Sequence, residues 1–231
     1  MGQSKSKYAY DPDIDWPYVW ALRDGDDLDW KRGLSESEIL ATHKAQNNLP
    51  VEISSSLFLG NCQYIQDLDR LETLGIRRVL NMAGPIQAFP KPLPQELAER
   101  GIRYKEIHAE DEEDYPLLDR HWDEAYAFIQ DAETNNEKVL VHCIAGMNRS
   151  GLVVAAAHLL STPDSNVIDT VRHIRKCRGN VALQNESFQE QLVAFARVHG
   201  RLGDAPQPTC PPPQKRQPKK ELASALHSLA S

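Results

Sequence analysis

The stretch VHCIAGMNRSG, residues 141–151, contains a thiol, two glycines, an arginine and a hydroxyl group within one short segment. Cys143 stands near its start, Arg149 follows six residues later, and Ser150 comes directly after the arginine. A strand-like apolar run leads into the stretch, and a helix-like apolar run, 152–160, follows it. The pattern therefore predicts a loop at the carboxyl end of a strand and the amino end of a helix, which is a favourable position for an anion.

The residues of this loop have the properties that a phosphate site needs. Small residues let successive backbone N–H groups converge on one oxyanion, and Arg149 adds a planar, permanently charged fork that matches phosphate. The same positive environment favours the thiolate form of Cys143, which is the nucleophilic form. We expect Ser150 to hydrogen-bond the sulfur, and His142 to hold the loop in shape rather than to act as a base. The predicted phosphate-binding residues are Ile144, Ala145, Gly146, Met147, Asn148 and Arg149.

The pattern H-C-x5-R-S resembles the signature of the cysteine-dependent protein tyrosine phosphatase superfamily. Three flanking segments, ISSSLFLGN, LGIRRVLNMAG and IRKCRGNVALQNESFQEQL, are similar to the dual-specificity phosphatase family, and the similarity covers residues 50–200. The resemblance implies catalysis through a phosphocysteine on Cys143, with Arg149 on the phosphate and Ser150 stabilising the leaving thiolate. It also implies that no metal ion or other cofactor takes part.

The resemblance further implies a general acid, because the oxygen of the leaving group must receive a proton. The family has an I-x-A-x-D-like stretch well before its cysteine, and here Ile107, Ala109 and Asp111 match it. Asp111 is therefore the predicted acid, and Asp114 is the alternative. The other acidic residues of IHAEDEEDYPLLD are predicted to form a solvated loop.

The side chains of the loop narrow the substrate class. Between Cys143 and Arg149 none is charged, which disfavours the highly charged substrates of phosphoinositide phosphatases. The catalytic region is also short for a tyrosine-specific relative, so the sequence favours a shallow pocket that admits phosphotyrosine, phosphoserine and phosphothreonine of a phosphoprotein. Three alternatives stay open. Asn148 before Arg-Ser-Gly resembles the loop of the RNA 5'-triphosphatases, and CIAGMNR is similar to the loop of the glucan phosphatases. The third alternative is a pseudo-phosphatase that binds phosphoproteins without turnover.

Strand and helix signals alternate through the same region. This alternation predicts an α/β domain with a central, mainly parallel sheet flanked by helices, and the resemblance implies a protein tyrosine phosphatase-like fold. The predicted strands are SLFLG, RRVLNMAG, GIRYKEIHA and KVLVHC; the predicted helices are YIQDLDRLETLG, LDRHWDEAYAFIQDAET and the segments around 150–160, 166–178 and 187–199.

Composition divides the chain into three regions. Residues 1–49 form a polar, acidic N-terminal extension, 50–202 the catalytic domain, and 203–231 a tail rich in proline and lysine that is predicted to be disordered. The extension has a cluster of aromatic residues that we expect to pack on the neighbouring domain, with a partner or ligand surface as the alternative. These residues are Trp16, Tyr18, Trp20 and Trp30.

Charge and cysteine content bear on partners and compartment. The formal net charge is -7, whereas a general nucleic-acid binder is more often basic, so no nucleic-acid partner is expected. The four cysteines form no CxxC pair and no metal-binding spacing, and the start of the chain has no apolar core of a secretory signal. The sequence therefore favours a reducing, cytoplasmic setting.

The first residues, MGQSKS, fit the N-myristoylation pattern M-G-x-x-x-[ST]. Gly2 is the predicted lipidation site, and Lys5 and Lys7 favour contact with anionic lipid. A single myristoyl chain binds membranes only marginally, so we expect reversible partition between cytosol and membrane.

Overall fold

The structure is a computed structural model that describes residues 6–24, 49–85 and 93–212. Five strands form one sheet in the order β1-β2-β5-β3-β4. The strand β1 is antiparallel to its neighbour and the other pairs are parallel, so the predicted central, mainly parallel sheet is confirmed. The strands are β1 (Val51–Glu52), β2 (Leu57–Asn61), β3 (Ile76–Asn81), β4 (Arg103–Glu106) and β5 (Lys138–Cys143).

Helices flank this sheet, as predicted, and the described part of the chain contains seven α-helices. Residues Tyr64–Gln66 add a short 3-10 turn, so the single helix expected over 64–75 is split in two. The α-helices are α1 (Pro12–Asp24), α2 (Leu68–Thr73), α3 (Leu93–Glu99), α4 (Leu117–Thr134), α5 (Arg149–Ser161), α6 (Val167–Arg178) and α7 (Glu186–Val198).

Alternating side chains of the central strands enter two separate cores. Leu59 and Val141 belong to the larger core, while Phe58 and Leu140, one position away, belong to the smaller one. This alternation follows from the two-residue period of a strand, and burial on both faces explains why these strands read as continuous apolar runs. β5 lies between two parallel neighbours, so its carboxyl end, where Cys143 stands, is held firmly.

The helix α5 follows β5 directly and is buried along its whole length from Arg149 to Leu159. A helix that is apolar on all sides must lie inside a protein. α5 contacts β2, β5, α4, α6 and α7, so the amino end of this helix is fixed by the surrounding structure. The loop between β5 and α5 therefore joins two elements that are buried along nearly their whole length.

The N-terminal aromatic cluster packs on the α/β domain, as expected for Trp16 and Tyr18, which are both 6% exposed. They lie on α1, a helix that the sequence did not predict, and α1 packs against α6 and α7. Trp20 is partly buried against the same core. Trp30 lies outside the described residues.

Residues 203–212, the described part of the predicted tail, are extended and are hydrogen-bonded to α1. Tyr18 donates its hydroxyl hydrogen to the carbonyl oxygen of Gly203 at 2.8 Å, and Trp16 Nε1 donates to the carbonyl oxygen of Cys210 at 3.0 Å. These bonds hold an extended segment, without helix or strand, against α1. Residues 213–231 lie outside the described part. Across the described ranges, no helix combines the length and apolar character that crossing a bilayer requires.

Candidate active site

Cys143 is the last residue of β5 and is 1% exposed. The buried hydroxyl of Ser150, in the first turn of α5, donates to the sulfur at 3.2 Å. This bond is the one that the sequence led us to expect, and it stabilises negative charge on sulfur. The structure thus brings the predicted nucleophile and its predicted hydrogen-bond donor together at the junction of strand and helix.

The loop after Cys143 turns its carbonyl groups outward, away from a common centre. Four successive carbonyl oxygens each accept a hydrogen bond from another element: from the N–H of Cys62, two nitrogens of Arg178, and the N–H of Leu183. Within the described part of the chain, the N–H groups of Ala145, Gly146 and Met147 donate to no carbonyl or side chain. Free N–H groups on successive residues of a loop are the arrangement that backbone nests use to bind anions.

Gly146 makes the turn of this loop possible. Its φ is +66°, and a Cβ atom added there would lie 2.4 Å from the carbonyl oxygen of Gly60 on β2. No other residue type fits, because both the backbone conformation and the contact exclude a side chain. In the same loop Ile144 is 51% exposed, so its side chain is available to a substrate surface.

The guanidinium group of Arg149 is buried at the start of α5. Its Nη1 donates to the carbonyl oxygen of Ala109 at 3.2 Å, which fixes its direction. Its Nε has no hydrogen-bond partner in the described part of the chain, and it lies 3.8 Å from a carboxylate oxygen of Asp111. A buried donor without a partner is costly, so this N–H is available for an oxygen of a bound phosphate.

Arg178, the last residue of α6, was not among the residues predicted from the sequence. It is 1% exposed; its Nε donates to the carbonyl oxygen of Gly146 and its Nη2 to that of Ala145, both at 3.0 Å. Burial lowers the pKa of Arg178, and the nearby Cys143 opposes this shift. The segment IRKCRGN gave no signal for this role, because an arginine near a helix C-terminus commonly interacts only with the last carbonyl groups of its own helix.

His142 is fully buried behind the loop. Its Nδ1 donates to the carbonyl oxygen of Cys143 at 3.1 Å. Burial lowers the pKa of His142 to about 4, so its ring is neutral at physiological pH. A neutral, hydrogen-bonded ring supports the loop, in keeping with the supporting role that we expect from the sequence. The thiol of Cys62 lies near this loop. Burial raises the pKa of Cys62, and the charge of Cys143 raises it further.

Asp111 lies on the exposed segment between β4 and α4, and the structure brings it to the loop. One carboxylate oxygen accepts from the side-chain amide of Asn148 at 3.3 Å, and the other from that of Asn185 at 3.2 Å. Ile107 and Ala109 are buried and anchor this segment. Asp114, the alternative acid, instead lines a surface cavity with Tyr10 and Glu190.

Both the nitrogen and the oxygen of the Asn148 side-chain amide make hydrogen bonds to other residues of the protein. Besides its bond to Asp111, its oxygen accepts from the N–H groups of Gln184 and Asn185 at 2.9 and 3.1 Å. Asn185 was recognised in the sequence only as part of a recurring closing stretch, and its bond to Asp111 was not foreseen. The partners are far apart along the chain, so no local pattern points to this contact.

A buried cysteine, an arginine and loop N–H groups lie between a parallel strand and a buried helix, in a fold of the protein tyrosine phosphatase class. The dual specificity phosphatase catalytic domain model matches residues 57–198, which is more than half of the chain. The chain therefore belongs to the dual specificity phosphatase family.

Relatives support this membership. Dual specificity protein phosphatase 6 from Homo sapiens is 32% identical over 157 residues, which are 68% of this chain and 39% of that protein. Dual specificity protein phosphatase Mpk3 from Drosophila melanogaster is 34% identical over 151 residues, 64% of this chain and 34% of that protein. The chain thus matches less than half the length of these relatives.

Solved structures have the same fold. DUSP15 matches with a TM-score of 0.52 and 25% identity, covering 66% of this chain and 96% of that chain. A human tyrosine phosphatase-like serine/threonine/tyrosine-interacting protein matches with a TM-score of 0.56 and 26% identity, covering 64% and 96%. The protein tyrosine phosphatase-like fold that the sequence implied is confirmed.

Proposed function

We propose that this protein hydrolyses phosphotyrosine, phosphoserine and phosphothreonine in phosphoproteins through a phosphocysteine intermediate on Cys143. The observation that carries the proposal is the loop itself. Among the described residues its carbonyl groups are bound from outside and its N–H groups have no acceptor. The Nε of Arg149, which has no hydrogen-bond partner there, belongs to the same site as the sulfur of Cys143. Family membership supports protein phosphatase activity of this class.

The reaction has two steps. The sulfur of Cys143 attacks phosphorus, the S–P bond forms, and the bond between phosphorus and the leaving oxygen breaks as that oxygen takes a proton from Asp111. A water molecule then attacks phosphorus and gives a proton to Asp111, and the S–P bond breaks to release inorganic phosphate. Ser150 stabilises the thiolate that leaves, and Arg149 with the loop N–H groups stabilises the charge on the phosphoryl oxygens.

Several features support a phosphoprotein substrate. The loop side chains are neutral, and Ile144 offers an exposed apolar contact beside the nucleophile. Asn148 resembles the residue before the loop arginine in RNA 5'-triphosphatases, but this is weak support for an RNA substrate. The amide of Asn148 is already bound to Asp111 and to the segment before α7. A panel of phosphopeptides, triphosphate RNA, glucan and phosphoinositides tests this choice, and selective turnover of RNA or glucan would contradict it.

A phosphoprotein-binding role without turnover is the second candidate. It is favoured by the structural likeness to a protein named as tyrosine phosphatase-like and interacting. Hydrolysis of a chromogenic aryl phosphate in the presence of chelator separates the two. We expect turnover by the wild type, none by Cys143→Ser, and severe impairment of Arg149→Lys, since a point charge does not reproduce the bidentate fork. Phosphopeptide binding by the wild type without hydrolysis would favour the second candidate.

We further propose that Gly2 is myristoylated and that the protein partitions reversibly between cytosol and membrane. Gly2 lies outside the described residues, so the support is the sequence pattern and the nearby lysines. The test is co-expression with an N-myristoyltransferase, followed by intact mass measurement and fractionation of the wild type and Gly2→Ala. We expect one added myristoyl group and weaker membrane recovery of the variant; an unmodified mass would contradict the proposal.

A further inference from the structure

Two neutral amides donate hydrogen bonds to the carboxylate of Asp111, and Arg149 adds a longer ion pair at 3.8 Å. Asn148 donates to one oxygen and Asn185 to the other, at 3.3 and 3.2 Å. Asn185 also donates to the carbonyl oxygen of Glu112 at 3.4 Å, so it contacts both the side chain of the acid and the backbone that follows. The position of Asp111 is thus set from the phosphate loop on one side and from the start of α7 on the other.

Both amides are themselves fixed. The oxygen of Asn148 accepts from two successive backbone N–H groups, those of Gln184 and Asn185. The oxygen of Asn185 accepts from the N–H of Phe188 at 3.2 Å and caps α7. Side chains that are bound at both ends lose little further freedom when they hold a third group, which makes them effective positioning residues.

Neutral donors suit this place for an electrostatic reason. Arg149 also lies near Asp111, at 3.8 Å from its Nε, and a close bidentate ion pair would occupy the fork that phosphate requires. Two amides hold the carboxylate within reach of the loop and leave Arg149 available. They add no net charge to the site.

We propose that Asn148 and Asn185 are positioning residues for the general acid, and that they hold the carboxyl group of Asp111 where it protonates the leaving oxygen. This inference rests on the proposed role of Asp111. Losing either amide leaves the acid less well placed, so the leaving oxygen departs with more negative charge. The cost is greatest for leaving groups that carry this charge poorly.

The test measures kcat/KM for a series of aryl phosphates whose phenols differ in pKa. In the wild type we expect a weak dependence on the leaving group. In Asn185→Ser and Asn148→Ser we expect a steeper dependence, with about 10-fold loss for the poorest leaving group and about 2-fold or less for the best. Serine is itself a good helix N-cap, so Asn185→Ser keeps the start of α7.

Asn166→Ser is the matched control. Asn166 caps α6 with its side-chain oxygen and donates to the carboxylate of Asp169, an arrangement like that of Asn185 but not in contact with Asp111. It should change stability and leave the dependence on the leaving group as in the wild type. A uniform loss across the series in the Asn148 and Asn185 variants, or no loss at all, would overturn the inference.

Asp111→Asn separates this inference from the proposed function. It should give the steepest dependence, and adding Asn185→Ser to it should steepen it no further, because both changes act through one group. A steep slope for Asp111→Asn with wild-type slopes for both asparagine variants overturns the inference and leaves the proposed acid standing. A wild-type slope for Asp111→Asn would instead show that the acid is assigned wrongly.

Discussion

Gly146 is the residue on which the shape of the phosphate loop depends most directly. We predict that Gly146→Ala lowers kcat/KM by at least about 10-fold, because the new Cβ forces the loop away from Gly60 and disturbs the converging N–H groups. Strain at φ +66° also lowers stability by about 1–3 kcal/mol. Steady-state kinetics and chemical denaturation measure the two effects.

Gly101→Ala is the control for this prediction. Its φ is +70°, but a Cβ there meets no atom of the described residues within 4 Å. It therefore carries the same backbone strain without the clash, and we expect a loss of stability with normal kinetics. Equal kinetics for the two variants would show that Gly146 has no special part in the loop.

His142 makes stability depend on pH. The pKa of its buried ring is about 4, against about 6.5 in the unfolded chain. Between these values the unfolded state binds a proton that the folded state does not, so the free energy of unfolding decreases as the pH falls. We predict a contribution of about 3 kcal/mol, present above pH 6.5 and lost as the pH approaches 4.

Denaturation of the wild type and of His142→Asn across this pH range checks the prediction. The asparagine keeps a donor toward the carbonyl oxygen of Cys143 but does not titrate, so its stability should fall less steeply with acid. A wild-type slope for His142→Asn would contradict the assignment.

At the scale of elements, two fully buried arginines are used in opposite ways. Arg78 on β3 is paired with the carboxylates of Asp131 and Glu137. Among the described residues no carboxylate pairs with Arg178, whose guanidinium instead binds two loop carbonyls. A buried charge without a counter-ion is costly, and a phosphate dianion or a thiolate in the loop offsets part of that cost. In this way α6 stabilises both the shape and the electrostatics of the loop.

We predict that Arg178→Lys raises the inhibition constant for inorganic phosphate and lowers kcat/KM, each by about 10-fold, because an ammonium group does not bind both carbonyls in the same geometry. Competitive inhibition by phosphate and steady-state kinetics measure these effects.

The control is Arg175→Lys on the same helix. Arg175 is also buried, but it binds the carbonyl oxygens of Leu22, Ala182 and Leu183. It should lose stability and keep its phosphate affinity; equal phosphate affinity in both variants would contradict the role of Arg178.

The elements that carry the loop were predictable because their signals are local. A continuous apolar run, a loop of small residues and a second apolar run predict β5, the loop and α5. The helix α1 was missed, since Pro17 and several aspartates lower its intrinsic helix propensity. Packing of Val19 and Leu22 into the core outweighs that propensity.

At the scale of the whole molecule, α1 and the catalytic domain form one core. Leu22 is fully buried in the larger core, and Arg197 on α7 binds the buried Asp15. We predict that Leu22→Ala lowers the free energy of unfolding by about 2–5 kcal/mol in a single transition. Ile14→Ala, at a side chain that is 46% exposed, should cost about 0.5 kcal/mol or less. Chemical denaturation followed by both fluorescence and activity tests this, and separate transitions would contradict a shared core.

The sequence predicted only those site residues that belong to local patterns. Cys143, Arg149 and Ser150 stand in one short stretch, and the resemblance pointed to Asp111. The supports of these residues come from distant parts of the chain, as when Arg178 reaches Gly146 and Asn185 reaches Asp111. Such contacts depend on tertiary packing, which no single stretch of sequence specifies.

We propose that Cys143 carries the phosphoryl group during turnover. The most direct measurement is to mix the protein with an aryl phosphate, quench the reaction with acid before a turnover is complete, and locate the phosphoryl group by peptide mass analysis. We predict one phosphoryl group on the peptide that contains Cys143, formed at least as fast as steady-state turnover and absent from Cys143→Ser. Turnover without a phosphoenzyme, or a phosphoryl group on a different residue, would contradict the account.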